Sequence, residues 1–167
     1  MPARTSVESM PPHEADEHAW VAWFNGQPVY RATNLACIAV GVEEATFEMD
    51  GSSLPLNPNG AVNGGVLAMA CDHVMGALGM RVVPTGQLPV TTSLNVLFHA
   101  PAIAPLRLGA TLLNAGRRVL AIHVDVQGDD GRLCSTAAGT MAVSSLLRRA
   151  ERPTVARAAQ TTVSDSA

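Results

Sequence analysis

Between Gly64 and Val82 the chain reads GGVLAMACDHVMGALGMRV, with apolar residues on every side of a helix rather than along one stripe. Such a helix has to be enclosed. Lipid is the wrong enclosure, because the longest apolar stretch, Val66 to Val83, is interrupted by Asp72, His73 and Arg81, charges that cost a membrane span several kcal/mol. The segment is therefore expected to be a protein-buried helix, stopped by Pro84, Gly86 and Pro89. A chain of 167 residues suffices for one domain built around it and is short for two.

The flanking sequence supplies what encloses it. Upstream, His13–Phe24 predicts a helix with Trp20, Val21, Trp23 and Phe24 on its apolar side, ended by Asn25-Gly26. Asn34–Gly41 and Thr46–Met49 read as a hairpin turning at Gly41–Glu44, and Gly51–Gly60 (GSSLPLNPNG) is loop chemistry throughout. Downstream, Val90–His99, Leu106–Asn114, Val119–Gln127 and Leu133–Val143 read as four strands in an antiparallel meander. Turns suit Asn114–Arg117 and Gly128–Gly131. On the third of these strands Ile122, Val124 and Val126 alternate with His123 and Asp125, the pattern of a half-buried strand. One long helix with a sheet around it is an α+β arrangement. A single domain is expected over 13–146, with 1–12 disordered and 147–167 a flexible tail.

Composition narrows the function. Hydrophobic residues make up 47% of the chain and charged residues only 15%, more apolar surface than a small monomer readily hides, so a subunit interface is expected. Net charge is −3, and all eleven basic residues are arginine, without the concentrated basic face of a nucleic-acid binder. Cys37, Cys71 and Cys134 are odd in number and lack CxxC spacing, which fits free thiols in a reducing compartment. The first eighteen residues carry no apolar signal-peptide core, and a cytoplasmic location without membrane insertion is expected.

Chemistry concentrates in Asn57–Asp72. Gly64-Gly65 exposes backbone N–H groups at the positive end of the helix, where a carbonyl oxygen can be polarised; the same glycines also serve a tight turn. Asp72 sits in an apolar helix and needs a reason to be there: a general base or nucleophile, or a structural carboxylate paired with Arg81 or a backbone N–H. Asn57, Asn59 and Asn63 can hold a carbonyl or a water, or simply form turns.

Asn57, Asn63-Gly64-Gly65, Asp72, Val90-Thr91-Thr92-Ser93-Leu94-Asn95-Val96 and Pro101-Ala102 together resemble the hotdog-fold thioesterases of the phenylacetate-pathway type, in the 4-hydroxybenzoyl-CoA thioesterase superfamily. The family pattern is an asparagine, a His-Gly-Gly six residues later, and an acid eight residues after the first glycine. Both spacings are kept here, and the resemblance runs from Leu35 to Val143. It implies a hotdog fold, a central helix wrapped by five or six antiparallel strands. It also implies hydrolysis of an acyl-CoA thioester, with coenzyme A entering as part of the substrate and neither cofactor nor metal. Carried over, Asp72 is base or nucleophile, Gly64 the oxyanion donor, Asn57 the residue orienting water or carbonyl, and Thr91 a hydroxyl near the attacking water. Asn63, Gly65 and Thr92 fall in the substrate-binding stretch. The departure is Asn63, which stands where the family has histidine and can neither titrate nor carry charge.

Eight residues at about 1.5 Å each put Gly64 and Asp72 roughly 12 Å apart on one helix, too far for both to reach one carbonyl. Two antiparallel helices about a two-fold axis would bring Gly64 of one subunit to Asp72 of the other. A homodimer, or a dimer of such dimers, with intersubunit sites is therefore expected. Arg117 and Arg118 are candidates for gripping coenzyme A phosphates, or for plain solubility. His123-x-Asp125 lacks a third metal ligand, Cys71 reads as an inert core thiol, and Met69, Met75 and Met80 read as core filler or an adaptable acyl lining. Two rivals remain: a hotdog acyl-CoA-binding sensor without turnover, and a hotdog hydratase. The hydratase pairs aspartate with a more distant histidine than Asp72-His73 allows.

Overall fold

The computed structural model describes residues 10–51 and 54–145. Along the chain run α1 (Glu17–Gly26), α2 (Pro28–Ala32), β1 (Leu35–Val40), β2 (Glu44–Met49), α3 (Gly64–Val82), β3 (Gln87–Phe98), β4 (Leu106–Ala115), β5 (Val119–Gly128) and β6 (Leu133–Ser145). One antiparallel six-stranded sheet, in the order β1-β2-β4-β5-β6-β3, curls around α3. This is the α+β hotdog arrangement.

Local chemistry sets the element boundaries. The Asp16 side chain accepts the Ala19 N–H at 2.8 Å, so α1 starts at Glu17 rather than at the expected His13. Asn25-Gly26 ends α1 as expected, and Pro28, pre-set for a first helical position, starts the short α2 within two residues. Of the segment expected to be disordered, Met10 packs against the core and Pro12 accepts the Ala15 N–H at 2.9 Å. Residues 1–9 and the tail expected at 147–167 lie outside the described residues.

The expected four-strand meander is corrected in one respect. β4, β5 and β6 are consecutive neighbours, but β3 pairs with β6 and not with β4, so the chain crosses over after β3 and leaves that strand at the sheet edge. Periodicity assigns each run to a strand but carries nothing about its neighbour. Irregularities in register at Cys37/Ala39, Thr91/Ser93, Leu112/Asn114 and Val126/Gln127 each add twist and bend, which lets a six-stranded sheet curve around a single helix.

The core is the inner face of this curl. Leu67, Ala70, Cys71, Val74, Met75 and Leu78 of α3 are buried against Phe47, Leu108, Ile122, Val124 and Ala137 of the sheet. Enclosure of α3 is incomplete within one chain: Gly65 and Met69 are exposed, and Asp72, His73, Gly76 and Met80 are half-buried along the same side. Met69 and Met75, both expected as core filler or acyl lining, differ: Met69 is 41% exposed, whereas Met75 is fully buried.

Candidate active site

Two depressions lie at different points along α3. One, of about 330 Å³, surrounds the helix N-terminus and includes Asn57, Gly64, Phe98 and His99. The other, of about 460 Å³, lies beside Asp72 and His73 and reaches Met80, with Thr91, Met141 and the α1–α2 residues Trp23 and Gln27 among its walls.

At the N-terminus, Asn63 is the helix cap. Its Oδ1 accepts the Gly65 N–H at 2.8 Å, and its carbonyl accepts the N–H groups of Val66 and Leu67 at 3.0 and 3.1 Å. Among the described residues no acceptor takes the Gly64 N–H. The cap thus leaves one donor open at the positive end of the helix, and it is the one singled out in the sequence. The Gly65 donor is already committed. Asn57 acts as a turn former: its Oδ1 accepts from Asn59 N at 2.9 Å and Ala61 N at 3.2 Å, while its Nδ2 has no partner among the described residues. The Phe98 ring covers Gly64 closely enough that a Cβ there would lie 3.1 Å from Cζ.

At mid-helix, the Thr91 hydroxyl donates to Asp72 Oδ1 at 2.7 Å. Asp72 and Thr91, expected as the base and a hydroxyl near the attacking water, are joined by the fold across nineteen positions. Arg81 is not the partner of Asp72. Its Nε donates to Val40 O at 3.3 Å, its guanidinium also reaches His13 O at 3.2 Å, and it lies 4.9 Å from the Trp20 ring centre. Thr92 is the extra residue of the β3 irregularity, and its hydroxyl bonds to the Thr140 carbonyl and side chain at 3.0 and 2.9 Å on the exposed face, away from Asp72. Arg117 lines a separate depression with Val82, Val83 and Gln87 at the far end of α3, and the Arg118 carbonyl accepts the Val143 N–H at 2.9 Å. Neither arginine stands at Asp72 or at Gly64 within one chain.

Sequence reading missed the contribution of α1 and α2 to the cavity beside Asp72. It also missed His73, whose ring centre lies 6.1 Å from that of Tyr30 and whose carbonyl accepts the Tyr30 hydroxyl at 3.4 Å. Burial lowers the His73 pKa from its ordinary 6.5, against a weaker opposing pull from Asp72. Burial, then the neighbouring Asp72, pushes the Cys71 thiol up to about 12, which leaves it protonated and inert. All three cysteines are free and buried. His123 Nε2 and Asp125 Oδ1 lie 2.8 Å apart on β5, and no group of three or more His, Cys, Asp or Glu among the described residues is placed to hold a metal. Among the described residues no helix is long and apolar enough to cross a membrane.

Residues 59–135, which include the α3 cap, Asp72 and Thr91, match the family model of the thioesterase superfamily. That stretch is similar to the superfamily, and the chain around it has the hotdog fold. Solved structures agree on the fold. A thioesterase of Haemophilus influenzae is 18% identical with a TM-score of 0.72, over 81% of this chain and 95% of its own. A mutant thioesterase of Pseudomonas aeruginosa is 20% identical with a TM-score of 0.69, over 80% and 96%. A Streptococcus mutans protein bound to acetyl CoA is 19% identical with a TM-score of 0.61, over 67% and 90%. None of the curated proteins matches the chain by sequence.

Proposed function

We propose that this hotdog protein hydrolyses an acyl-CoA thioester to the free acid and coenzyme A, in a homodimer whose sites are each completed by both subunits. One observation carries the reading: α3 holds an open N–H donor at Gly64 and, eight residues on, a carboxylate fixed by Thr91. Acyl transfer needs both groups on one carbonyl, and about 12 Å of helix separates them. Antiparallel pairing of two α3 helices supplies the second half of each site. The apolar surface left on that side supports it, with Met69 and Phe98 at 41% and 55% exposure. The coenzyme A moiety of the relative from Streptococcus mutans supports the ligand class.

In this site the Thr91 hydrogen bond holds Asp72 Oδ1 and leaves Oδ2 to take a proton from water. The water oxygen bonds to the thioester carbon, and the carbonyl oxygen gathers charge beside the Gly64 N–H of the other subunit. Collapse breaks the C–S bond, and the thiolate takes the proton held by Asp72. Direct attack by Asp72 through a mixed anhydride uses the same groups. Asn57 Nδ2 reaches the carbonyl, and Arg117 and Arg118 are left to the coenzyme A phosphates. Asn63 keeps the capping geometry without a titrating side chain.

The test is thiol release from a panel of acyl-CoAs. Asp72→Asn is expected to lower kcat by about 10²–10⁴-fold. Gly64→Pro, which deletes the donor at a helix position that accepts proline after Asn63 at ψ 135, is expected to lower it by about 10²–10³-fold, with Gly64→Ala, which keeps the donor and crowds Phe98 in the same way, as the steric control. Full activity in Asp72→Asn, or an active monomer in sedimentation, overturns the reading.

A further inference from the structure

Two glycines lie close together on α3, and their surroundings differ. A Cβ on Gly79 would fall 2.9 Å from Pro89 Cβ and 3.2 Å from Met141 Sδ, so packing against β3 and β6 requires glycine there. A Cβ on Gly76 would meet nothing nearer than Met141 Cε at 4.0 Å. Glycine is disfavoured inside a helix relative to alanine, yet no described neighbour forbids a side chain at Gly76. Gly76 faces the 460 Å³ cavity, midway between Asp72 and Met80. What it keeps open is that cavity.

We propose that this trough takes the acyl chain of the thioester and that its length selects straight medium-chain acyl groups; the proposal rests on the hydrolase reading above. The reacting end is fixed by Asp72 and Thr91. From there the helix side of the trough passes His73, Gly76 and Ala77 to Met80, eight positions and about 12 Å further on. That is the reach of an extended chain of roughly eight to ten carbons with single bonds near 1.5 Å. The opposite wall is the α1–α2 elbow. Tyr30 meets α3 at His73 and Trp20 meets it at Arg81, so the elbow lies along this stretch of helix and brings Trp23 to the end remote from Asp72. Gln27 fastens the elbow by donating from Nε2 to the Trp23 carbonyl at 3.1 Å. Trp23 closes the trough, and Met80 and Met141 give it adaptable apolar walls.

The test is kcat/KM of the full chain over straight acyl-CoAs from acetyl to palmitoyl plus phenylacetyl-CoA, with calorimetric titration of free decanoic acid as a reading independent of turnover. The wild type is expected to peak near decanoyl. Gly76→Leu fills the floor at a position that favours leucine over glycine and should lower the decanoyl-to-butyryl ratio about tenfold or more. Trp23→Ala should raise the palmitoyl-to-decanoyl ratio by a similar factor. A peak at acetyl or phenylacetyl overturns the proposal, and so do ratios that neither variant moves. Gly76→Leu losing only the dimer, with its ratio intact, assigns the open floor to packing of a second copy and also overturns it. If no acyl-CoA is hydrolysed, decanoic acid binding that Gly76→Leu abolishes upholds the trough and sinks the hydrolase reading; absence of binding sinks the trough.

Discussion

The two edges of the sheet are treated differently. Along β1 the outer backbone is closed by α1: Asn25 donates to Cys37 O at 3.0 Å and accepts the Cys37 N–H at 2.8 Å, and Glu17 accepts the Val40 N–H at 2.7 Å. Along β3, twelve residues long, only β6 pairs, and no described element covers the other side. An uncovered long edge is a standing invitation to pair, and proteins that leave one either protect it or use it. Here the open edge adjoins the open side of α3 and both depressions of the candidate site. One flank is closed within the chain, and the other is left open.

Of the contrasts between the two flanks, the largest should come from placing the same charge on each. Met69→Asp puts a carboxylate on the open side of α3, where the isolated chain tolerates it and a paired helix does not. It is expected to give a monomer in sedimentation and to cut thiol release by about 100-fold. Ile38→Asp, on β1 at 49% exposure, is expected to change neither. Equal effects at the two positions would erase the contrast.

A smaller effect follows from opening the closed flank. Asn25→Ala strands the backbone N–H and C=O of Cys37 and should cost about 2 kcal/mol of stability, read as a lower Tm. Cys37 provides a second reading. Burial, then the charge of Glu17, pushes its thiol up to about 12, so alkylation of the native protein should be slow and should quicken in Asn25→Ala.

The smallest expected effect is on pH dependence, and it sharpens what the open flank costs. Because burial lowers His73 below its unfolded value of 6.5, the unfolded chain takes up the proton first as pH falls. The His73 contribution to stability is therefore complete above about 6.5 and declines as pH drops through the lowered value. Denaturant midpoints between pH 7.5 and 5 should fall less steeply in His73→Gln than in the wild type.

Much of this was legible in the sequence, for local reasons. Gly64–Val82 announced itself through its unbroken apolar character and the glycine and proline residues around its ends, and β4, β5 and β6 through alternation and turn chemistry. What escaped was non-local. Nothing in Val90–His99 states that β6, rather than β4, is its neighbour, and nothing in His13–Phe24 states that Trp23 will line one cavity with Met80. The spacing of Asn57, Gly64 and Asp72 was readable, but Thr91 rather than Arg81 as the partner of Asp72 required the curl of the sheet. Asn63 could be seen as a departure; its work as a cap needed coordinates.

The cap at Asn63 and the carboxylate at Asp72 sit on one helix but, if the dimer forms as proposed, serve different reactions. Each α3 then lends its beginning to one centre and its middle to the other, so a defect in either place disables both centres of a uniform dimer. Two inactive proteins, Gly64→Pro and Asp72→Asn, contain between them every part of a working centre. Dissociated and allowed to reassort, half of the dimers become hybrids in which one centre collects both faults and the other collects none, and about a quarter of the wild-type centres return. Mixing two dead enzymes would give a living one, a complementation that a site contained in one chain could never show.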